Sequence, residues 1–280
     1  KSGRGIRFLL DKLCHASIID AVRGTGLPFR VYPHNHLEKL KRLLEEADPR
    51  QLQVVITESI FSMDGDAADL PGLGRLKTER PFVLMLDEAH ATGVYGPQGN
   101  GLAAELGLQS IVDVTVITLS KSIGCVGGAV CGSGVFCEAL VNLARAYLYS
   151  TNIPASIAAA VDAAITVIET DPDRRRRLRD LSRRVRSELS DAGLNIPPGD
   201  SPIIPLIVGS ETAALEAAEH LISQGMLVLA IRPPTVPRGG SRLRITLSSE
   251  HTDAEIEQLI VALRTARSVA SSADLPAAGH

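Results

Sequence analysis

Phe82-Val83-Leu84-Met85-Leu86 runs without a break into Asp87-Glu88-Ala89-His90, and this stretch decides the fold. An apolar run without clear in/out alternation reads as a strand buried on both faces, the pattern of a parallel sheet. Gln53-Val54-Val55-Ile56-Thr57 and Val114-Thr115-Val116-Ile117-Thr118 are runs of the same length on either side of it. Turn clusters and helix-sized intervals separate them. Strand–helix–strand repetition of this kind predicts an open, mostly parallel α/β sheet with helices on both faces. In such sheets ligands sit beyond the carboxyl ends of the strands. The polar residues just past those ends, 58–66, 87–90 and 118–121, are therefore the ones to inspect for chemistry.

From about Ile153 the pattern changes. Residues 154–170 are rich in Ala and Ile and predict a long helix, which Asp171-Pro172-Asp173 interrupts or restarts. Residues 174–189 resume it with Leu178, Leu181, Val185 and Leu189 at helical spacing. Strands are expected at 203–208, 226–231 and 242–247, and Pro205 suits an edge position. Helices are expected at 213–224 and 253–267, the second capped by Thr252. The expected organisation is a large α/β domain over 1–155, a connecting helix and smaller α+β domain over 156–267, and a disordered Ala/Ser/Pro/Gly-rich tail over 268–280.

Composition removes several classes of function. The 280 residues carry 29 Lys and Arg against 32 Asp and Glu, a net charge of −3, which excludes a globally basic nucleic-acid binder. The run Arg174-Arg175-Arg176-Arg177 reads as a solvated helix face, with Asp171, Asp173 and Asp180 nearby and no interleaved aromatics. With no Trp and 3% aromatic residues the core is expected to be aliphatic. Cys14, Cys125, Cys131 and Cys137 form no CxxC pair, which fits a reduced, cytoplasmic protein without a metal site. No apolar run is long enough for a membrane span.

The chemistry gathers at two strand ends. Asp87 follows one buried run directly, and Ser120-Lys121 closes another ahead of the glycine-rich Gly124-Cys125-Val126-Gly127-Gly128. A carboxylate at a strand end is costly to bury unless it meets a cation. A lysine at a neighbouring strand end can form a Schiff base with an aldehyde held there. Pyridoxal phosphate needs both groups, a lysine for its aldehyde and a carboxylate for its protonated ring nitrogen. His90, three residues after Asp87, is within reach of the phenolic oxygen of such a ring.

At these residues the chain resembles the α-oxoamine synthases, fold-type I pyridoxal-phosphate enzymes that join an amino acid to an acyl thioester with loss of carbon dioxide. The resemblance runs from about residue 10 to 265. It rests on Cys14-His15-Ala16-Ser17-Ile18-Ile19-Asp20, Glu58-Ser59-Ile60-Phe61-Ser62-Met63-Asp64-Gly65-Asp66, Leu86-Asp87-Glu88-Ala89-His90 and Thr118-Leu119-Ser120-Lys121. It continues through Ser150-Thr151-Asn152-Ile153-Pro154 and Ile231-Arg232-Pro233-Pro234-Thr235-Val236-Pro237, followed by Arg242-Leu243-Arg244. That last pair of segments points within the family to its biotin-pathway branch, which uses L-alanine and a pimeloyl thioester.

The resemblance implies these roles. Lys121 is the Schiff-base lysine and proton carrier, and Asp87 pairs with the ring nitrogen. His90 and Ser62 contact the phenolic oxygen side, His15 stacks on the ring, and Thr118 contacts the phosphate. Thr151 reaches the phosphate of a neighbouring subunit's cofactor, since the family forms homodimers with shared sites. Arg244 binds the amino-acid carboxylate, with Arg232 a second candidate and Thr235 a further substrate contact. A guanidinium matches a carboxylate bidentately, which supports an arginine there. Arg242 and Arg244, two apart on an expected strand, face the same side, and the alternative for one of them is a structural salt bridge. Cys14, Ser122 and His36 depart mildly from the family pattern. Residues 1–10 are shorter than the region that precedes the His15 segment in the family, so weak or absent turnover is expected of this chain alone.

Overall fold

The computed structural model describes residues 5–273, with side chains through Thr265. Its first part builds strands β1 (Ile6–Asp11), β2 (Phe29–Tyr32), β3 (Leu52–Glu58), β4 (Val83–Asp87), β5 (Val114–Thr118) and β6 (Gly128–Gly132). They form one sheet in the order β2-β1-β3-β4-β5-β6. Every neighbouring pair is parallel except β5 with β6. Helices α1 (Ala16–Gly24), α2 (Leu37–Glu45), α3 (Leu70–Glu79) and α4 (Leu102–Glu105) lie between the parallel strands, and α5 (Gly134–Leu143), α6 (Arg145–Leu148) and α7 (Ala155–Thr170) follow β6. This is the α/β architecture expected from the three apolar runs.

Leu9, Leu10, Val55, Leu84 and Leu86 are fully buried in the sheet, so its core is aliphatic as expected, although Tyr32, Phe61 and Tyr95 join it. Two-sided burial holds for most of β3. In β4, buried and half-buried residues alternate, and β5 is buried only at Val114. The exposure of β5 goes with the β6 edge beside it: β6 is largely exposed, and α5, α6 and α7 bury no residue, so little covers that end of the sheet. The sequence pattern does not mark strands β1, β2 and β6. β6 is bounded by two glycines and β2 is only 4 residues long, which weakens the strand signal.

The chain divides into two compact units, Lys1–Phe61 with Ala67–Pro172, and Ser62–Asp66 with Asp173–His280. The division falls at Pro172 rather than near residue 155, so α7 groups with the first unit. Helix α8 (Pro172–Asp191) restarts at the proline, as the sequence suggests. The second unit contains β7 (Ile203–Gly209), α9 (Glu211–Ser223), β8 (Leu229–Ile231), β9 (Ser241–Thr246) and α10 (Asp253–Ala273). Its antiparallel sheet has the order β7-β9-β8, which leaves Pro205 on an edge strand where its missing N–H costs no ladder bond. β8 is shorter than expected because Met226, Leu227 and Val228 precede the strand.

The core of this unit is Leu181, Val185 and Leu189 of α8 packed with Ile204, Leu206, Leu221, Leu243, Ile245, Ile260 and Leu263. Thr252 and Glu255 cap α10 reciprocally: Glu255 N–H donates to Thr252 Oγ1 at 3.3 Å, and Thr252 N–H donates to Glu255 Oε2 at 2.7 Å. α10 runs past Arg267 to Ala273, and the rest of the expected tail lies outside the described residues. Arg174, Arg176 and Arg177 form the solvated face read from the sequence, paired with Glu250, Asp173 and Asp253. Arg175 departs from that reading. It is buried, in line with Ser182 and Arg186 at helical spacing on the inner face of α8.

Candidate active site

β3 and β4 are parallel neighbours whose register sets Glu58 beside Asp87 at their carboxyl ends. Asp87 Oδ1 accepts the Ala89 N–H at 2.8 Å, which turns the chain sharply after β4 and carries His90 over the strand end. Lys121 follows β5, the next strand along, and its Nζ lies 3.0 Å from His90 Nε2. Burial raises the Asp87 carboxyl above its usual range, while the Ala89 amide and the charges of Lys121 and His15 pull it back down. Asp87, His90 and Lys121 therefore share one place, at the ends of β4 and β5, as the sequence reading requires.

His15 begins α1. Its backbone N–H donates to Glu58 Oε1, and its Nδ1 accepts the Ser17 N–H at 3.3 Å. The imidazole thus caps a helix while its ring stays exposed. Thr118, the last residue of β5, sets its hydroxyl 2.9 Å from Ser120 Oγ and accepts the Ser120 N–H at 3.4 Å. Thr151 lies exposed between α6 and α7.

The remaining sequence-predicted residues lie in the second unit. Ser62 gives its backbone carbonyl to Arg244 Nε at 2.6 Å. Arg244 is half-buried, desolvation lowers its pKa, and no carboxylate among the described residues pairs with it. Arg242 is buried, bonded to the Gly240 carbonyl at 2.9 Å and ion-paired with Asp64. The alternative left open by the sequence is thereby settled: Arg242 is the structural salt bridge. Arg232 and Thr235 are exposed in the turn after β8, where Thr235 N–H donates to the Arg232 carbonyl at 3.0 Å.

Two acids were not assigned roles from the sequence. Glu88 is buried and accepts the Leu102 and Ala103 N–H groups at the start of α4, so it is structural. Glu58 is buried beside Asp87, and burial together with the Asp87 charge pushes its carboxyl up to about 7. Its signal was available: Glu58 follows the run 53–57 just as Asp87 follows 82–86. The mild departures also find partners. His36 caps α2 by accepting the Lys39 N–H at 3.1 Å, Ser122 donates to the Thr92 carbonyl at 2.6 Å, and the buried Cys14 thiol lies 3.5 Å from the Ile56 carbonyl.

The residues fit a pyridoxal group. Asp87 is half-buried and only its Oδ1 takes up a hydrogen bond among the described residues, which leaves Oδ2 for a ring N–H, and the Lys121 amine and His15 imidazole stand close enough to act on its charge. The family model for aminotransferase class I and II matches residues 2–263. The chain belongs to that family.

Among curated relatives, this aminotransferase-family chain is 41% identical over 97% of its length to 8-amino-7-oxononanoate synthase of Marinobacter nauticus, and it covers 69% of that protein. Among solved structures, serine palmitoyltransferase from S. paucimobilis with bound pyridoxal phosphate and myriocin gives a TM-score of 0.92 at 29% identity, covering 96% of this chain and 68% of the other. The 8-amino-7-oxononanoate synthase from Francisella tularensis gives 0.82 at 27%, covering 94% and 76%. The resemblance to α-oxoamine synthases and the fold-type I transferase architecture are borne out. The chain spans about two thirds to three quarters of the length of these proteins. Among the described residues no helix is long and apolar enough to cross a membrane.

Proposed function

We propose that this chain acts as a pyridoxal-phosphate-dependent α-oxoamine synthase of biotin biosynthesis. The reaction condenses L-alanine with pimeloyl-CoA, or with the pimeloyl carrier-protein thioester, to give 8-amino-7-oxononanoate, carbon dioxide and the free thiol. The observation that carries this reading is the meeting of Lys121, His90 and Asp87 at adjacent strand ends. Its support for the biotin branch is the name shared by relatives about 40% identical to the chain.

When bound, pyridoxal phosphate supplies an aldehyde that captures amines and a protonated ring that accepts electrons released at the substrate α-carbon. The chain's own side chains do the rest. Lys121 provides the amine for the aldehyde and then takes and returns the α-proton of the amino acid. Asp87 holds the ring nitrogen protonated by its negative charge. His15 covers the ring face, His90 and Ser62 hold the phenolic oxygen, and Thr118 binds the phosphate. Arg244 orients the substrate carboxylate, for which its half-buried guanidinium, without a carboxylate partner among the described residues, is suited. Arg232 and Thr235 serve the substrate from the exposed turn.

A second reading within the family, a synthase that uses serine or glycine, is favoured by the higher TM-scores of the serine palmitoyltransferases. Proton exchange separates the two. In D2O, the chain loaded with pyridoxal phosphate should exchange the α-proton of L-alanine at least tenfold faster than those of glycine or L-serine, read by proton NMR. Fastest exchange with serine would transfer the assignment to the second reading. No exchange with any of the three, together with no visible band on adding pyridoxal phosphate, would refute an enzyme and leave a non-catalytic partner subunit.

A homodimer with shared sites is part of the same proposal. Val135, Leu143 and Tyr149 are 80%, 75% and 74% exposed, and an apolar surface of this kind is a common mark of an interface. In sedimentation the chain should behave as a dimer at micromolar concentration, and Leu143→Asp should release monomers. A wild-type monomer would count against Thr151 serving a partner's cofactor. The free cysteines suit the reducing cytoplasm.

A further inference from the structure

We propose that Glu58 is a positioning residue of this site: it shares a single proton with Asp87 as a pair of adjacent carboxyls, and it anchors the backbone of His15 beside them. The inference rests on the function proposed above and deepens it. Glu58 is 3% exposed, and strand register rather than a flexible loop places it next to Asp87. In-register residues of neighbouring parallel strands point to the same face and are one strand spacing apart, about 5 Å. Two carboxylates that close, and largely out of water, do not both ionise readily.

The charged groups around Glu58 favour the same outcome. Asp87 of β4 and Asp11 at the end of β1 are like charges, and burial adds to their effect. The amide of His15 and the ammonium of Lys121 oppose them. Burial dominates, and the carboxyl moves from an ordinary 4.5 to about 7. Glu58 Oε1 accepts the His15 N–H, which leaves Oε2 for the proton. The pair then carries one negative charge opposite Lys121 instead of two. That matches one ammonium and one ring N–H without an uncompensated anion.

The sign of the pH effect follows. The folded chain holds the Glu58 proton more tightly than the unfolded chain. Its contribution to stability is therefore full below about 4.5 and is lost as pH rises through about 7. Glu58→Gln, uncharged at every pH, keeps an acceptor for the His15 amide and escapes that loss. Glu58→Ala loses both functions.

The test begins on the full chain without cofactor. Carboxyl carbon-13 NMR of the wild type should show one buried glutamate titrating near pH 7, absent in E58Q. The His15 amide should exchange slowly in the wild type and E58Q, and at least tenfold faster in E58A. Added pyridoxal phosphate should then give a visible band that, titrated above about pH 7, fades about half a unit or more lower in E58Q than in the wild type, because there Glu58 has lost its proton and faces Lys121 as an anion that the amide lacks. A glutamate midpoint below about 5, unchanged His15 exchange in E58A, or an unmoved band overturns the proposal. If E58A does not fold, E58Q alone decides through its midpoints. Failure of the wild type to bind pyridoxal phosphate sinks the enzymatic reading instead, and the cofactor-free measurements still judge the carboxyl pair.

Discussion

Lys121→Ala should give a protein that folds as the wild type does, shows no visible absorbance with pyridoxal phosphate, and exchanges the α-proton of alanine roughly a thousandfold more slowly. Folding is preserved because Lys121 is exposed and its removal leaves no cavity. Chemistry is lost because the Nζ beside His90 is the only amine the structure places at the ends of β4 and β5 among the described residues. Lys121→Arg is the informative companion. It retains a cation opposite Asp87 but cannot act as a nucleophile, since a guanidinium stays protonated at any accessible pH. Arginine should therefore restore part of the cofactor affinity by charge while leaving the visible band absent. If either variant kept the band of the wild type, another amine would be carrying the aldehyde. Asp87→Asn would act differently: the band would form, but exchange would slow, because the neutral amide no longer holds a proton on the ring nitrogen.

The site was legible wherever a charged residue interrupts an apolar strand, because burying a charge there demands a partner. Asp87 and Lys121 stand out only together, by their joint placement at two strand ends; alone, the one reads as a helix cap and the other as a surface lysine. Glu88, adjacent to Asp87, looks identical in sequence, yet it points away and caps α4. Successive residues at a strand end face opposite sides, but sequence does not say which side holds the chemistry. Arg242 and Arg244 illustrate the converse. They share a face, and what separates their fates is Asp64, nearly two hundred residues earlier in the chain. No local pattern carries that information. The parallel strands β3, β4 and β5 were readable from their aliphatic runs. β1 was not, because Arg7 and Asp11 interrupt its apolar residues, and its partners lie on other strands. Asp11 has its own long-range explanation. It is buried because it accepts from His34 Nδ1 at 3.0 Å and from Asn35 N–H at 2.9 Å, which tie down the start of α2.

Gly65→Ala should cost the second unit about 2–4 kcal/mol, by adding αL strain to a clash with backbone and the loss of a buried hydrogen bond. Gly65 has φ +65, a conformation that side-chain-bearing residues rarely adopt. A Cβ there would lie 2.2 Å from the Ile203 carbonyl oxygen and 2.6 Å from Ser201 Oγ. Neither neighbour can yield cheaply. Ile203 is the first residue of β7 and is held in register against Thr246, and Ser201 Oγ donates to the Gly65 carbonyl at 2.6 Å. Gly225→Ala in the same unit is the control, with φ +81 and nothing within 4 Å of its Cβ. It should cost only the conformational part, about 1 kcal/mol. Urea unfolding of both variants separates strain from close approach, and equal costs would show that the approach of Gly65 to β7 contributes nothing. The consequence extends to chemistry, because Ser62–Asp66 is the segment that pairs Asp64 with Arg242 and gives the Ser62 carbonyl to Arg244. Loosening it frees the guanidinium assigned to the substrate carboxylate. Gly65→Ala should therefore weaken alanine binding at temperatures where the fold survives, with the visible band formed at Lys121 unchanged.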